Sequence, residues 1–208
     1  MKKFELTAEF VANVFGKKLF RIKALVAFGD VEKGELGGFI EKEDNLSHSG
    51  DAWVYGDAQV SGDAWVYGDA QVSGDAWVYG DAQVSGNARV YGNARVSGDA
   101  WVYGDAWVYG DAWVYGDAQV SGDACVYGDA DYAVVTGFGR FFRATTFFRC
   151  KDKIPRVQCG CFYGDLAQFR EIVKKTHGDS KYAKEYLAIA DLMELHFSDE
   201  EENQEADK

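Results

Sequence analysis

The sequence predicts a β-solenoid, because three features of residues 50–127 indicate short, identical segments stacked in register. A six-residue unit, Gly-Asp-Ala-x-Val-x, occurs thirteen times there without an insertion. Six residues cannot bury a core of their own, so each unit must stack on its neighbours. Around each valine, small or aliphatic residues alternate with Trp, Gln, Tyr or Ser, which is the period of a strand. All six tryptophans lie in this stretch, whereas all fourteen phenylalanines lie outside it.

The Gly-Asp pair of each unit is expected to form the corner between two strands. Glycine accepts a strained turn, and an Asp carboxylate can accept hydrogen bonds from nearby backbone amides. Ala and Val would then fill a narrow interior, with the aromatic and polar residues outside. Asn replaces Asp only at Asn87 and Asn93.

The repeat resembles the hexapeptide-repeat, left-handed parallel β-helix family, in which three hexapeptides form one triangular coil of eighteen residues. The resemblance covers residues 38–133 and rests on an aliphatic residue in each side and a small residue four places later, as at Val54 and Ala58. It implies about five coils. The alternation of Trp and Gln units leaves a flatter coil of twelve residues as an alternative. We favour eighteen because that alternation breaks between Asn87 and Tyr115, whereas the six-residue phase continues.

Residues 1–37 are predicted to form a β-hairpin that caps the first coil. Two apolar segments, Val11–Phe15 and Leu19–Leu25, flank Gly16-Lys17-Lys18. A cap is needed because a bare terminal coil offers unpaired backbone groups to other strands.

Residues 134–197 are predicted to form an α+β cap at the other end. We expect strands at 132–136, 141–149 and 156–162, followed by two helices that begin after Asp165 and Ser180. The acidic tail at 198–208 is predicted to be disordered.

Segments outside the repeat resemble a group of solenoid proteins from bacteria and their phages. They are Gly34–Lys42, Cys159–Gly164 and Thr176-His177-Gly178. Members of that group have no established activity and are often labelled transferases, because the repeat also occurs in acyltransferases.

Composition limits the classes of partner. The chain has 34 acidic and 22 basic residues and a net charge of -12, which disfavours direct binding to nucleic-acid phosphates. It has no apolar stretch of the ~20 residues that a membrane helix needs and no secretory signal, so we expect a cytoplasmic protein without membrane contact. Four cysteines in a chain of this length do not form a disulfide framework.

The outward aromatic residues favour a non-catalytic binding or scaffold protein that needs no cofactor. Trp and Tyr anchor interfaces, and we expect self-association, with a trimer favoured by family resemblance, and a protein partner. The predicted surface is centred on the break in the Asp pattern. It comprises Asn87, Arg89, Tyr91, Asn93 and Arg95 with Trp77, Trp107 and Trp113. The competing interpretation is that the arginines make cation–π contacts within their own chain, because stacking every eighteen residues places each arginine beside tryptophans of neighbouring coils.

Two other functions remain open. An acyltransferase would need a general base, for which His48 is the candidate, although the repeat itself contains no histidine. Alternatively, the regular carboxylates could mimic duplex phosphates and inhibit a DNA-binding host defence protein.

Two metal hypotheses also follow from the sequence. Cys150, Cys159, Cys161 and His177 could hold zinc if a strand places both neighbouring cysteines on one face, although core thiols are the commoner outcome. The stacked corner carboxylates would be satisfied by corner amides, by cations or by a basic partner.

Overall fold

The computed structural model describes residues 2–198 and contains a parallel β-solenoid of about five coils. Apart from Ser198, the predicted disordered tail lies outside the described residues. Three strands precede the repeats: β1 (Phe4–Ala12), β2 (Lys18–Ala24) and β3 (Leu36–Ile40). Each repeat then contributes one strand of two residues: β4 (Trp53–Val54), β5 (Gln59–Val60), β6 (Trp65–Val66), β7 (Gln71–Val72), β8 (Trp77–Val78), β9 (Gln83–Val84), β10 (Arg89–Val90), β11 (Arg95–Val96), β12 (Trp101–Val102), β13 (Trp107–Val108), β14 (Trp113–Val114), β15 (Gln119–Val120) and β16 (Cys125–Val126).

The strands stack into three faces, with equivalent residues eighteen positions apart. Val54 lies opposite Val72 and Val72 opposite Val90, which confirms the eighteen-residue coil and makes the twelve-residue alternative wrong. We name each face after its first two-residue strand. The β4 face contains β4, β7, β10, β13 and β16, the β5 face contains β5, β8, β11 and β14, and the β6 face contains β6, β9, β12 and β15.

Alanine and valine fill the interior, as predicted. Every repeat Ala and Val from Ala52 to Val126 is fully buried. Burying one Val side chain contributes roughly 1.5–3 kcal/mol to the stability of the fold, so the many repeated valines together compensate for the small core of each coil. Of the tryptophans, Trp53 alone is fully buried, because Phe4 and Phe28 of the N-terminal segment cover its outward face.

Stacked glycines shape the corners. Gly86 has a φ of +67°, and a Cβ there would lie 2.9 Å from the backbone nitrogen of Gly104 in the next coil. A side chain is therefore excluded by conformation and by space.

Backbone groups, more than Asp carboxylates, satisfy the corner amides. The N–H of Asp63 donates to the carbonyl of Gly80 in the next coil at 2.8 Å, and Asp75 and Asp105 donate in the same way to Gly92 and Gly122. The predicted capping by carboxylates occurs at Asp69, which accepts from the N–H of Asp51, and at Asp129, which accepts from Trp113. Carboxylate capping is thus wrong as a general rule for the corners.

The N-terminal strands extend the sheet of the β5 face. β1 and β2 form an antiparallel hairpin, and β2 pairs with β3, which is parallel to β5. The hairpin is confirmed, although its first strand begins earlier than predicted, at Phe4, and ends at Ala12.

A four-stranded antiparallel sheet and two helices follow the solenoid. The strands are β17 (Tyr132–Val135), β18 (Thr145–Phe148), β19 (Arg156–Cys159) and β20 (Phe162–Asp165), and the helices are α1 (Leu166–His177) and α2 (Lys181–Phe197). Their shared core includes Phe147, Val157, Phe169, Ala190 and Met193. The Asp165 and Ser180 side chains cap the helices by accepting hydrogen bonds from Gln168 and Ala183, as predicted.

Two strand predictions in this cap are wrong. The segment predicted at 141–149 forms a strand only at β18, because Phe141 and Phe142 lie in an exposed turn where Phe142 has a φ of +54°. The segment predicted at 156–162 is interrupted by a turn at Gly160, which has a φ of +60°. Cys161 therefore does not share a strand with Cys159.

Candidate functional site

The β6 face carries an uncharged row of aromatic and amide side chains. Trp65, Gln83, Trp101 and Gln119 point outward from its four strands in that order. Trp65 and Trp101 are 43% and 44% exposed. The second outward column contains Tyr67, Ser85, Tyr103 and Ser121.

Aromatic contacts hold these rings against the rod. Trp65 stacks on Tyr67 with ring centroids 4.0 Å apart, and the Tyr67 hydroxyl donates to Gln83 Oε1 at 3.4 Å. Trp101 meets Tyr103 edge to face at 6.4 Å. The exposed indoles are thus preorganised, which lowers the entropy lost when a partner covers them.

The two caps reach only the ends of the β6 face. Glu43, Ser47 and His48 lie beside Trp65 at the first coil. At the last coil, the Thr146 hydroxyl accepts from the Gln119 backbone N–H. Trp101 lies between these contacts and remains open to solvent.

Two rows of corner residues border the β6 face. One row contains Asp51, Asp69, Asn87, Asp105 and Asp123, and the other contains Asp63, Asp81, Asp99 and Asp117. All nine are exposed. Among the described residues, Asp81, Asp99 and Asp117 have no basic side chain within ion-pairing distance, whereas Asp63 pairs with Lys42 of the first turn.

The surface predicted around the two arginines is divided between two other faces. Arg89, Tyr91 and Trp107 belong to the β4 face, whereas Arg95 lies on the β5 face with Trp77 and Trp113. Asn93 occupies the corner between these faces, and Asn87 lies at the corner between the β6 and β4 faces. The eight residues therefore do not converge on one flat surface.

Each arginine stacks on tryptophans of its own chain. The Arg95 guanidinium carbon lies 5.3 Å from the Trp77 ring centroid and 6.0 Å from that of Trp113, and Arg89 lies 5.5 Å from Trp107. These are cation–π distances, so the internal interpretation accounts for both arginines. Asn87 and Asn93 donate to Asp105 and Asp111 in the next coil, both at 2.9 Å.

A tyrosine column completes the β4 face. The Tyr91 and Tyr109 rings stack in parallel 5.0 Å apart, and Tyr109 meets Tyr127 edge to face. The hydrogen bond between the Tyr109 hydroxyl and Cys125 Sγ, together with burial, raises the pKa of Tyr109 to about 12. Lys151 of the C-terminal cap lies over Trp107, 4.4 Å from the ring centroid, and closes the end of this face.

His48 joins the N-terminal cap to the first coil. Its ring stacks on Phe4 at 4.4 Å, Nδ1 accepts from the Lys3 backbone N–H, and Nε2 lies 2.7 Å from Glu43 Oε1. Both ring nitrogens are therefore engaged within the cap. This geometry gives His48 a packing role and offers no free nitrogen for a general base.

The four predicted zinc ligands do not converge. Cys159, Cys161 and His177 line one pocket of the C-terminal cap, but Cys150 pairs with Ala124 of the last coil. Burial raises the pKa of Cys150 to about 11, so it remains a thiol. Within residues 2–198, no group of three or more His, Cys, Asp or Glu side chains has a geometry suited to a metal ion.

The sequence did not predict the residues that seal the N-terminal end of the solenoid. Asn45 is fully buried and donates through Nδ2 to the carbonyls of Gly62 and Ala64. The Lys3 ammonium donates to the carbonyls of Gly50 and Ala52. Burial lowers the pKa of Lys3 from 10.5 to about 8. The only available signal was the phase of Asn45, which falls at the Asp position of the repeat, where Asn also occurs at Asn87 and Asn93.

Comparison with protein families locates the recognisable part of the chain. A model described as the YdcK β-solenoid repeat matches four overlapping windows, residues 58–74, 70–86, 82–98 and 88–104. Their starting points differ by twelve, twelve and six residues, all multiples of the hexapeptide. Comparison with curated proteins gives no match. None of the helices described within residues 2–198 has the length and apolar character to cross a membrane. The matched windows and the eighteen-residue register together identify the chain as a β-solenoid repeat protein.

Proposed function

We propose that this solenoid is a non-catalytic binding protein that packs its β6 face against another protein. The observation that carries the proposal is the position of Trp65 and Trp101, which are held by neighbouring tyrosines yet remain over 40% exposed. Exposed, preorganised tryptophans on a rigid surface are typical of interface anchors.

The charge around this face favours a basic partner. The bordering rows supply eight aspartates and Asn87, whereas the face between them is uncharged. A partner with an aromatic or aliphatic centre and a basic rim would cover the indoles and neutralise both rows. A second copy on the same face would bring like-charged rows together, so the predicted trimer would need a different contact or an offset alignment.

Exchange of tryptophan for glutamine tests the face with little risk to the fold, since the repeat already uses Gln at this position. We would compare the wild-type chain with Trp65→Gln/Trp101→Gln as affinity baits, identifying captured proteins by quantitative mass spectrometry. A true partner should be depleted at least tenfold from the variant bait, because central anchors carry most of the binding energy.

The matched control has the same composition and changes the β5 face through Trp77→Gln/Trp113→Gln. Partners of the β6 face should remain bound to this control. Equal depletion from both variants, or selective depletion from the control, would overturn the assignment. Sedimentation of the three purified proteins tests self-association, since a trimer formed through the β6 face would dissociate only in the first variant.

A second candidate function depends on the corner rows themselves. Exposed carboxylates repeat along the rod at the spacing of neighbouring strands, about 4.8 Å. This regularity favours mimicry of an acidic polymer, with inhibition of a DNA-binding protein. Asp81→Asn, Asp99→Asn and Asp117→Asn combined would weaken such a complex and reduce its salt dependence, whereas a β6-face complex would depend mainly on the tryptophans.

A further inference from the structure

The C-terminal cap contains a pocket whose floor is apolar. Its volume is about 240 Å³, and Phe162, Phe169, Ile172 and Val173 form much of its wall. Drug-sized ligands occupy pockets of roughly 300–1,000 Å³, so this one suits a single ring system or a short branched chain. The pocket lies in the sheet-and-helix cap.

Two arginines and a phenylalanine form the mouth of this pocket. The guanidinium carbons of Arg140 and Arg143 lie 5.5 and 5.2 Å from the ring centroid of Phe141, which is 65% exposed. Arg143 also lies against the turn between the two cysteines, since a Cβ on Gly160 would be 3.0 Å from its Nη1. The mouth therefore presents two cations around one aromatic ring.

Neither arginine is neutralised by a described side chain. No carboxylate within residues 2–198 lies within ion-pairing distance of Arg140 or Arg143, whereas Arg156 and Arg170 each have acidic partners. Glu185, the acid bound to this loop, accepts from the Gly139 N–H at 3.0 Å and pairs with Lys181 at 3.3 Å. The mouth thus combines two uncompensated positive charges with an apolar interior.

The polar lining of the pocket includes the Tyr186 phenol and the Cys159 sulfur. Burial raises the pKa of Tyr186 to about 12, so its phenol keeps its proton. The Thr145 hydroxyl contacts Cys159 Sγ at 3.2 Å. Metal binding is disfavoured because the cysteines and His177 do not form a metal-binding group among the described residues.

We propose that this pocket binds a small amphipathic carboxylate, with its ring or branched chain on the Phe162–Phe169 floor and its carboxylate between Arg140 and Arg143. Planar guanidinium groups match a carboxylate through paired hydrogen bonds, and the apolar wall excludes water from the rest of the ligand. The proposal does not depend on the function assigned to the β6 face.

Equilibrium dialysis of the full chain with 2-naphthoate tests the site, with 2-naphthamide as the neutral analogue of the same shape. We expect saturable 1:1 binding of the carboxylate and at least about tenfold weaker binding of the amide. Arg140→Gln/Arg143→Gln should weaken naphthoate binding by a similar factor. Ile172→Glu, which adds a carboxylate to the wall, should abolish it.

The matched control is Arg89→Gln/Arg95→Gln, which removes the same two charges from the solenoid, where Gln71 and Gln59 already occupy the equivalent columns. It should bind naphthoate like the wild type. Absence of saturable binding, equal binding of the amide, or equal losses in the two arginine pairs would overturn the proposal. Thermal melting of each variant establishes that it is folded.

Discussion

The two ends of the solenoid present opposite hydrogen-bonding groups, and their caps differ accordingly. Within the rod, the N–H of each Trp, Gln or Arg donates to the Ala carbonyl of the next coil, as Trp53 does to Ala70. In the parallel ladder the valine N–H donates in the opposite direction, as from Val72 to Trp53. The first coil is therefore left mainly with carbonyl oxygens and the last coil mainly with N–H groups. Lys3 and Asn45 supply donors at the first end. The carbonyl of Arg149 and the hydroxyl of Thr146 supply acceptors at the last.

This difference shows that a solenoid cap is specific to its end. A parallel coil has a direction, so donors that seal one end would leave the other end unsatisfied. The N-terminal cap is mostly an extension of the β5-face sheet, and its key donors are side chains. The C-terminal cap is a separate sheet with its own core, which leaves room for a pocket.

The largest expected effect comes from removing the donor at Asn45. Asn45→Ala leaves the part-buried carbonyl of Gly62 and the buried carbonyl of Ala64 without this partner, and also removes the acceptor for the Lys42 N–H. We expect a loss of about 2–4 kcal/mol in the free energy of unfolding, measured by urea denaturation. Asn93→Ala, at an exposed corner, is the control and should cost less than about 0.5 kcal/mol. Similar losses in the two variants would refute the sealing role.

Lys3 makes the N-terminal end sensitive to pH. Its pKa is about 8 when folded and near 10.5 when unfolded, so between these values the unfolded chain binds more protons. Stability from Lys3 should therefore rise as the pH rises. From about pH 7 to about pH 9.5, the unfolding free energy of the wild type minus that of Lys3→Met should increase by about 1–2 kcal/mol.

Urea denaturation at both pH values measures this increase, and tyrosine ionisation cancels in the difference between the proteins. Lys2→Met, which changes an exposed neighbour, should retain the wild-type pH dependence. A difference between wild type and Lys3→Met that stays constant or shrinks over this range would contradict the buried-ammonium account.

At the opposite end, the equivalent test removes an acceptor. Thr146→Val preserves shape but leaves the Gln119 N–H without its partner at 2.9 Å. Thr145→Val is a close control, because Thr145 is equally buried and its hydroxyl contacts only Cys159 Sγ among the described groups. In urea denaturation, we expect Thr146→Val to lower the free energy of unfolding by about 1–2 kcal/mol and Thr145→Val to lower it by clearly less. The reverse order would show that this amide does not need sealing.

The sequence could predict the rod because one local rule recurs thirteen times. Val54, Val72 and Val90 occupy equivalent places, so the register follows from the repeat alone. The seals could not be predicted, since Lys3 and Asn45 are single residues outside the thirteen repeats, and Lys3 contacts carbonyls 47 and 49 positions away in sequence. The predicted surface around the two arginines is divided between two faces for a related reason, because residues six apart, such as Arg89 and Arg95, lie on different faces of a three-sided coil.

The pocket was missed for a different reason. The sequence indicated Cys159, Cys161 and His177 as metal ligands, and the structure does place them around one cavity. Arg143 lies in the segment predicted to be a strand, 141–149, and Arg140 directly precedes it. Successive residues of a strand point to opposite sides, so an extended segment would direct residues three apart away from each other. The turn at Phe142 instead brings Arg140 and Arg143 to the same phenylalanine.

The smallest effect is expected midway between the ends, where the corners face solvent. Asn87 donates to Asp105 Oδ1, and Asn87→Asp replaces this hydrogen bond with a like-charge contact in the row that also contains Asp69. Exposed charges about 4.8 Å apart repel weakly, so we expect a loss of about 0.5 kcal/mol in unfolding free energy at about 20 mM salt. At about 500 mM salt most of that loss should disappear, because the Debye length falls below the spacing of the carboxylates. Asn87→Ala removes the hydrogen bond without adding charge, so its effect should not depend on salt. A salt-independent loss in Asn87→Asp would mean that the hydrogen bond, and not the interruption of the acidic row, explains the stabilising effect of asparagine at this corner.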